Sequence, residues 1–122
     1  MPLRNKILIA DDDAEMLEAL SGMLEKEGYV VFRAENGREA LELARKELPA
    51  LVLLDIHMPV MDGLQACKAI KSDPAAKIVH VVMLTVEGSI REIEQAISYG
   101  ARTYITKPSS RSEILKVVKS II

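Results

Sequence analysis

Residues 6–13 read Lys6-Ile7-Leu8-Ile9-Ala10-Asp11-Asp12-Asp13, and the break between Ala10 and Asp11 organises everything around it. Ile7 to Ala10 are apolar at every position, without the alternation of a half-wetted strand, as expected of a strand covered on both faces. From Glu15 to Glu27 the period changes: Met16, Leu17, Ala19, Leu20, Met23 and Leu24 share one helical face, and Gly28 follows as a C-terminal cap. Asp13 then serves as the N-cap of that helix. Strand, acidic turn and helix make one βα unit.

The same phrase recurs along the chain. Short apolar runs at Val30–Ala34, Leu51–Leu54, Val79–Leu84 and Thr103–Ile105 each precede a stretch with helical spacing. That alternation predicts a parallel sheet with crossover helices. Asn36 with Glu39 opens a helix to about Lys46, ahead of Pro49, and Asp62 leads another over about Gly63–Lys71, closed before Pro74. Ser89 with Glu92 reads as a capping box for a helix carrying Ile90, Ile93 and Ile97 and ending at Gly100, and Ser110 with Glu113 opens the last helix. The runs at 7–9, 51–54 and 81–84 are wholly apolar and belong in the middle. The second run contains Arg33, and the fifth alternates Thr103, Tyr104, Ile105, Thr106, so both suit edges. Right-handed crossovers then make 2-1-3-4-5 the simplest order, a flavodoxin-like (βα)5 doubly wound α/β sheet whose crevice lies between strands 1 and 3.

Composition agrees with one domain spanning residues 1–122. The chain is 49% hydrophobic and 28% charged, the proportions of a globular protein. Sixteen Lys and Arg against eighteen Asp and Glu give a net charge of −2, which argues against direct nucleic-acid or membrane-surface partners. The single cysteine, Cys67, can form no internal disulfide and reads as a small half-buried helix residue. No signal-peptide core or membrane-length apolar run is present in the sequence, so a cytoplasmic location is expected.

The predicted topology gathers chemistry at the carboxyl end of the sheet. Strand 1 delivers Asp11 and Asp12, strand 3 delivers Asp55, strand 4 ends at Thr85, and strand 5 delivers Lys107. Three carboxylates together call for a hard divalent cation with oxygen ligands, Mg²⁺ or Mn²⁺. With a hydroxyl and a lysine beside them, the set suits phosphoryl transfer. The sequence has neither a G-x-G-x-x-G nor a Walker loop for a nucleotide, so the attacking group is expected on the protein, and a carboxylate is a competent nucleophile.

These residues carry a resemblance to the receiver domains of two-component response regulators. It rests on Asp11-Asp12 after Ile7-Leu8-Ile9, on Asp55-Ile56-His57-Met58-Pro59-Val60-Met61-Asp62-Gly63, on Thr85 after Met83-Leu84, and on Gly100-Ala101 with Tyr104-Ile105-Thr106-Lys107-Pro108. By that resemblance Asp55 is the phosphoacceptor, and Asp12, Asp55 and the backbone carbonyl of His57 bind Mg²⁺ with Asp11 in support. Thr85 and Lys107 would hold phosphoryl oxygens, the Lys107–Pro108 bond would be cis, and Thr85 and Tyr104 would form the switch. The fourth helix, fifth strand and fifth helix would then present the outcome. The implied partners are a histidine kinase or phosphotransfer protein upstream and an unidentified protein downstream, with no output domain in the chain. The protein would be a phosphoacceptor that assists its own phosphorylation and dephosphorylation rather than an enzyme. His57 and Glu87, two residues after Asp55 and Thr85, would set the lifetime of the acyl phosphate.

The pattern departs from the family at Val86, where a small residue is common, and at Ser109, where Phe is common. Arg102-Thr103 and Val117 replace the acids and arginine of the branch that dimerises through this face, so a monomer or weak dimer is expected. Two other readings stay open on sequence. One is an aspartate-nucleophile, Mg²⁺-dependent phosphatase, although His57 stands where a second acid is usual. The other is a phosphorylation-independent interaction module with the same fold.

Overall fold

The computed structural model describes residues 3–86, 89–107 and 109–122, with the side chains of Leu3 and Arg4 excepted. Five strands alternate with five helices: β1 (Leu3–Ala10), α1 (Ala14–Lys26), β2 (Val30–Ala34), α2 (Gly37–Glu47), β3 (Pro49–Asp55), α3 (Gly63–Ser72), β4 (His80–Val86), α4 (Ile90–Ser98), β5 (Thr103–Lys107) and α5 (Arg111–Ile121). A short 3-10 turn, Ala76–Ile78, precedes β4. All pairings are parallel, and the order is β2-β1-β3-β4-β5, the flavodoxin-like arrangement expected from the sequence.

The central strands are apolar throughout because they feed two cores. Ile7, Ile9, Leu51, Leu53, Val82 and Leu84 face one side and pack against Leu17, Leu20 and Leu24 of α1 and Ile114 and Val118 of α5. Leu8, Ala10, Val52, Leu54, Val81 and Met83 face the other side, against residues of α2, α3 and α4 such as Leu41, Ile70 and Ala96. Side chains one residue apart along a strand thus serve opposite layers. Every residue of β3 is buried, whereas β2 and β5 have exposed positions, as edge strands should.

Local signals place most helix ends. Asp13 accepts from the N–H groups of Glu15 and Met16, Asn36 from Glu39, and Ser110 from Glu113, while Asp62 and Gln65 form a complete capping box. Gly28 and Gly100 have φ of 95° and 113°, the left-handed geometry in which glycine carries no Cβ penalty.

Three expectations need correction. The Ser89–Glu92 box does not form, since Ser89 makes no side-chain cap hydrogen bond among the described residues and the Glu92 carboxylate is turned elsewhere. Cys67 is fully buried rather than half-buried, wedged where α3 meets α4 with Sγ 3.8 Å from the Ala96 carbonyl oxygen. Of the α4 stripe of Ile93 and Ile97, whose helical spacing reads as packing, Ile93 is half-buried but Ile97 is 46% exposed, and Ala96 is the buried residue of that helix. Periodicity located the stripe correctly, but the smaller Ala96 sits against the sheet.

Candidate functional site

The register explains why the polar residues converge. Ala10 of β1 pairs with Leu54 of β3, so Asp11 and Asp55 are the next residues out on adjacent strands. Asp55 pairs with Leu84 of β4, Thr85 with Thr106, and Val86 with Lys107. Parallel strands in register end together, and their terminal side chains share one rim.

On that rim, Asp11, Asp12 and Asp55 each offer a carboxylate oxygen within 4.8 Å of the others. Asp11 is 1% exposed, Asp55 is nearly as buried, and Asp12 faces solvent. The Lys107 ammonium donates to Asp11 Oδ2 at 2.7 Å and lies 3.2 Å from Asp55 Oδ1. The Asp13 N–H donates to Asp11 Oδ1 at 3.0 Å. Both oxygens of Asp11 therefore have protein partners, which leaves the oxygens of Asp12 and the second oxygen of Asp55 without a partner among the described residues.

Three negative charges face one positive charge in a partly dry crevice. Burial, first, and the neighbouring Asp11 charge push the Asp55 carboxyl above its usual value, against the pull of Lys107. Burial works against the Lys107 ammonium, but its hydrogen bond to Asp11 and the charges of Asp55 and Asp11 outweigh that and raise its pKa. An all-carboxylate oxygen set with surplus negative charge fits a hard divalent cation.

The remaining expected residues lie around this core in different ways. Thr85 is buried at the rim, and its hydroxyl donates to the Val86 carbonyl at 3.2 Å rather than to the cluster. Tyr104 is turned outward on β5 and is half exposed. The His57 side chain, 68% exposed, points away to α4, where Nε2 lies 3.3 Å from Glu92 Oε2. Glu87 and Pro108 lie outside the described residues, and with them the second expected lifetime residue and the expected cis bond.

Sequence reading missed what braces the β3–α3 connection. The Gly63 N–H donates to the Ile56 carbonyl at 2.7 Å, and a Cβ on Gly63 would sit 1.9 Å from the Asp55 carbonyl oxygen. The Gly37 N–H donates to the Met61 carbonyl at 2.8 Å, and a Cβ there would come within 2.3 Å of that oxygen. Two glycines thus let α2 and α3 press backbone against the loop that follows Asp55. Val60, at the tip of that loop, holds φ at 69°, a costly conformation for a β-branched residue. The pair Asp62-Gly63 was legible as a helix start, but the close approach was not.

Comparison with known proteins follows this geometry. Residues 7–119 match the family model described as response regulator receiver domain. The chain belongs to the response regulator receiver family. It is 36% identical over 117 residues to protein PilH of Pseudomonas aeruginosa, covering 96% of this chain and 97% of that protein. It is 37% identical to sporulation initiation phosphotransferase F of Bacillus subtilis, covering 98% and 95% respectively. Among solved structures, the Vibrio cholerae chemotaxis protein CheY4 superposes with a TM-score of 0.89 at 32% identity, covering 96% of this chain and 98% of that one. Other receiver relatives are longer: the chain spans 34% of a protein-glutamate methylesterase/protein-glutamine glutaminase from Methanococcoides burtonii. This receiver is thus of the class that takes part in two-component signalling, with histidine kinases or phosphotransfer proteins on one side and downstream targets on the other. No helix among the described residues is long and apolar enough to cross a membrane.

Proposed function

We propose that this receiver accepts a phosphoryl group on Asp55 from a phosphohistidine of a histidine kinase or phosphotransfer protein, and that Asp12, Asp55 and the His57 carbonyl hold Mg²⁺ for the purpose. The observation that carries the reading is the Lys107 ammonium bridging Asp11 and Asp55 beside the exposed carboxylate of Asp12. An Asp55 oxygen forms the new bond to phosphorus, the bond from phosphorus to the donor nitrogen breaks, and the nitrogen keeps the electron pair. Bound Mg²⁺ supplies positive charge that offsets the growing charge on the phosphoryl oxygens. Lys107 already stands at the acceptor and needs only to exchange part of its carboxylate contact for a phosphoryl oxygen. Asp11, held by Lys107 and the Asp13 N–H, positions that ammonium.

The switch follows from the hydroxyl of Thr85. Its present partner is a backbone carbonyl, and a dianionic group next door is a stronger acceptor. Its inward turn opens space for Tyr104, and the face of α4, β5 and α5 changes for a downstream protein. The domain acts in the cytoplasm as a monomer or weak dimer and assists its own phosphorylation and dephosphorylation.

Phosphoramidate tests the acceptor directly. Incubated with it and Mg²⁺, the protein should gain the mass of one phosphoryl group, lost again in alkali, and Asp55→Asn should gain none. Equal labelling of Asp55→Asn, or no labelling of the native chain, would refute the assignment.

A further inference from the structure

Among the five helices, α4 alone starts without a side-chain cap from the described residues. Asp13, Asn36, Asp62 and Ser110 all cap their helices from extended backbone, with ψ of 108°, 171°, 172° and 158°. Ser89 has the right side chain and the right spacing to Glu92, yet its ψ is 37° and it caps nothing. The Glu92 carboxylate, the other half of that box, instead lies 3.3 Å from Nε2 of His57 in the loop after Asp55. One carboxylate thus has two competing partners, the His57 ring and the N-terminus of its own helix. The helix it belongs to is free to respond, because α4 is short and buries only Ala96.

We infer that Glu92 is a positioning residue that couples the loop after Asp55 to the first turn of α4. With its carboxylate on His57, α4 begins without the Ser89 side-chain cap. Released from His57, Glu92 closes the box with Ser89, Ser89 moves to extended backbone, and the first turn of α4 tightens. This inference rests on Asp55 as the phosphoacceptor, since the phosphoryl group supplies the release. It brings nearly two negative charges to the loop that carries His57, competes for the imidazole ring and repels the Glu92 carboxylate. The crevice and the α4 face are then joined by a second route, separate from Thr85 and Tyr104.

Amide exchange measured by NMR reads the box, because the Glu92 N–H is the donor that Ser89 Oγ would accept. In His57→Ala, without any phosphoryl mimic, the Glu92 amide should exchange about fivefold more slowly than in the native chain, the factor that a serine cap of average strength carries. Adding Ser89→Ala should abolish the slowing. In the native chain, beryllofluoride with Mg²⁺ should produce the same slowing. An unchanged Glu92 rate in His57→Ala overturns the inference. So does an unchanged rate under beryllofluoride when the Thr85 and Lys107 amide resonances move. If beryllofluoride moves no resonance at all, the phosphoacceptor reading fails first and the coupling falls with it.

Discussion

Replacing Lys107 by Met keeps most of the apolar stem and removes the only ammonium that touches the carboxylates of the crevice among the described residues. At 2.7 Å and 3.2 Å, with an effective dielectric constant of about 20, the two attractions amount to about 6 and about 5 kcal/mol before desolvation is subtracted. The net loss is smaller because the site has an escape: one carboxyl can take up a proton. From an ordinary value of 3.8, protonation at pH 7 costs about 1.4 kcal/mol for each of about 3.2 pH units, or about 4.4 kcal/mol. Broken buried pairs typically lose about 3–5 kcal/mol. Lys107→Met should therefore cost about 3–4 kcal/mol at pH 7 in EDTA, read from urea unfolding followed by far-ultraviolet circular dichroism. At pH 5 the proton escape costs about 1.6 kcal/mol, so the loss must shrink below about 2 kcal/mol. Lysine is charged in both the folded and unfolded chain at either pH, so the change reports the carboxylates. An equal loss at the two pH values would mean that packing of the stem, not charge, is responsible. A loss under about 1 kcal/mol at pH 7 would mean that the ammonium does not hold the cluster.

Metal-free Asp55→Asn should be more stable than the native chain at neutral pH. The Asp55 carboxyl is raised, so the folded state holds its proton to higher pH than the unfolded state, and ionisation costs stability as pH rises from 3.8 through the folded value. Calorimetric melting temperatures should show the gain at pH 7 and its disappearance in acid, and a less stable Asn variant at pH 7 would contradict the charge balance. Gly63→Ala should lose at least about 3 kcal/mol in denaturant, beyond ordinary overpacking, because the methyl group meets the Asp55 main chain rather than a yielding side chain; near-native stability would mean that α3 can shift freely. Burial pushes the Cys67 thiol up to about 11. Its reaction with an aromatic disulfide reagent should follow global unfolding, and rapid labelling of the native protein would show that α3 and α4 separate locally.

Much of the site was legible because it depends on strand ends. Once Ile7–Ala10, Leu51–Leu54 and Val81–Leu84 are read as buried parallel strands, Asp11, Asp55 and Thr85 must share a rim, and Lys107 follows from the fifth strand. The side-chain roles within the rim were less legible. Thr85 follows from the end of the fourth strand, but that its hydroxyl donates to the Val86 carbonyl is a detail that strand order does not reveal. The Ser89–Glu92 spacing predicted a box, and a residue far back in the chain, His57, took the glutamate. Gly37 and Gly63 looked like ordinary helix starts, because nothing local reveals that another segment's carbonyl oxygen occupies the place of a Cβ.

The division between the two levels is one of range. By itself the sequence determined the five βα units, their order, the capped starts of α1, α2, α3 and α5, and the acids at the strand ends, because each is encoded within a few residues by apolar runs, caps and stops. Only the tertiary structure decided which of several competent partners each polar group takes. Lys107 bonds Asp11, 96 residues away, and Asp12 stays in solvent while its neighbour is buried. Glu92 leaves its own helix for His57. Such choices compare contacts of similar strength, and the comparison is settled by which elements the packed sheet has brought within a few ångströms.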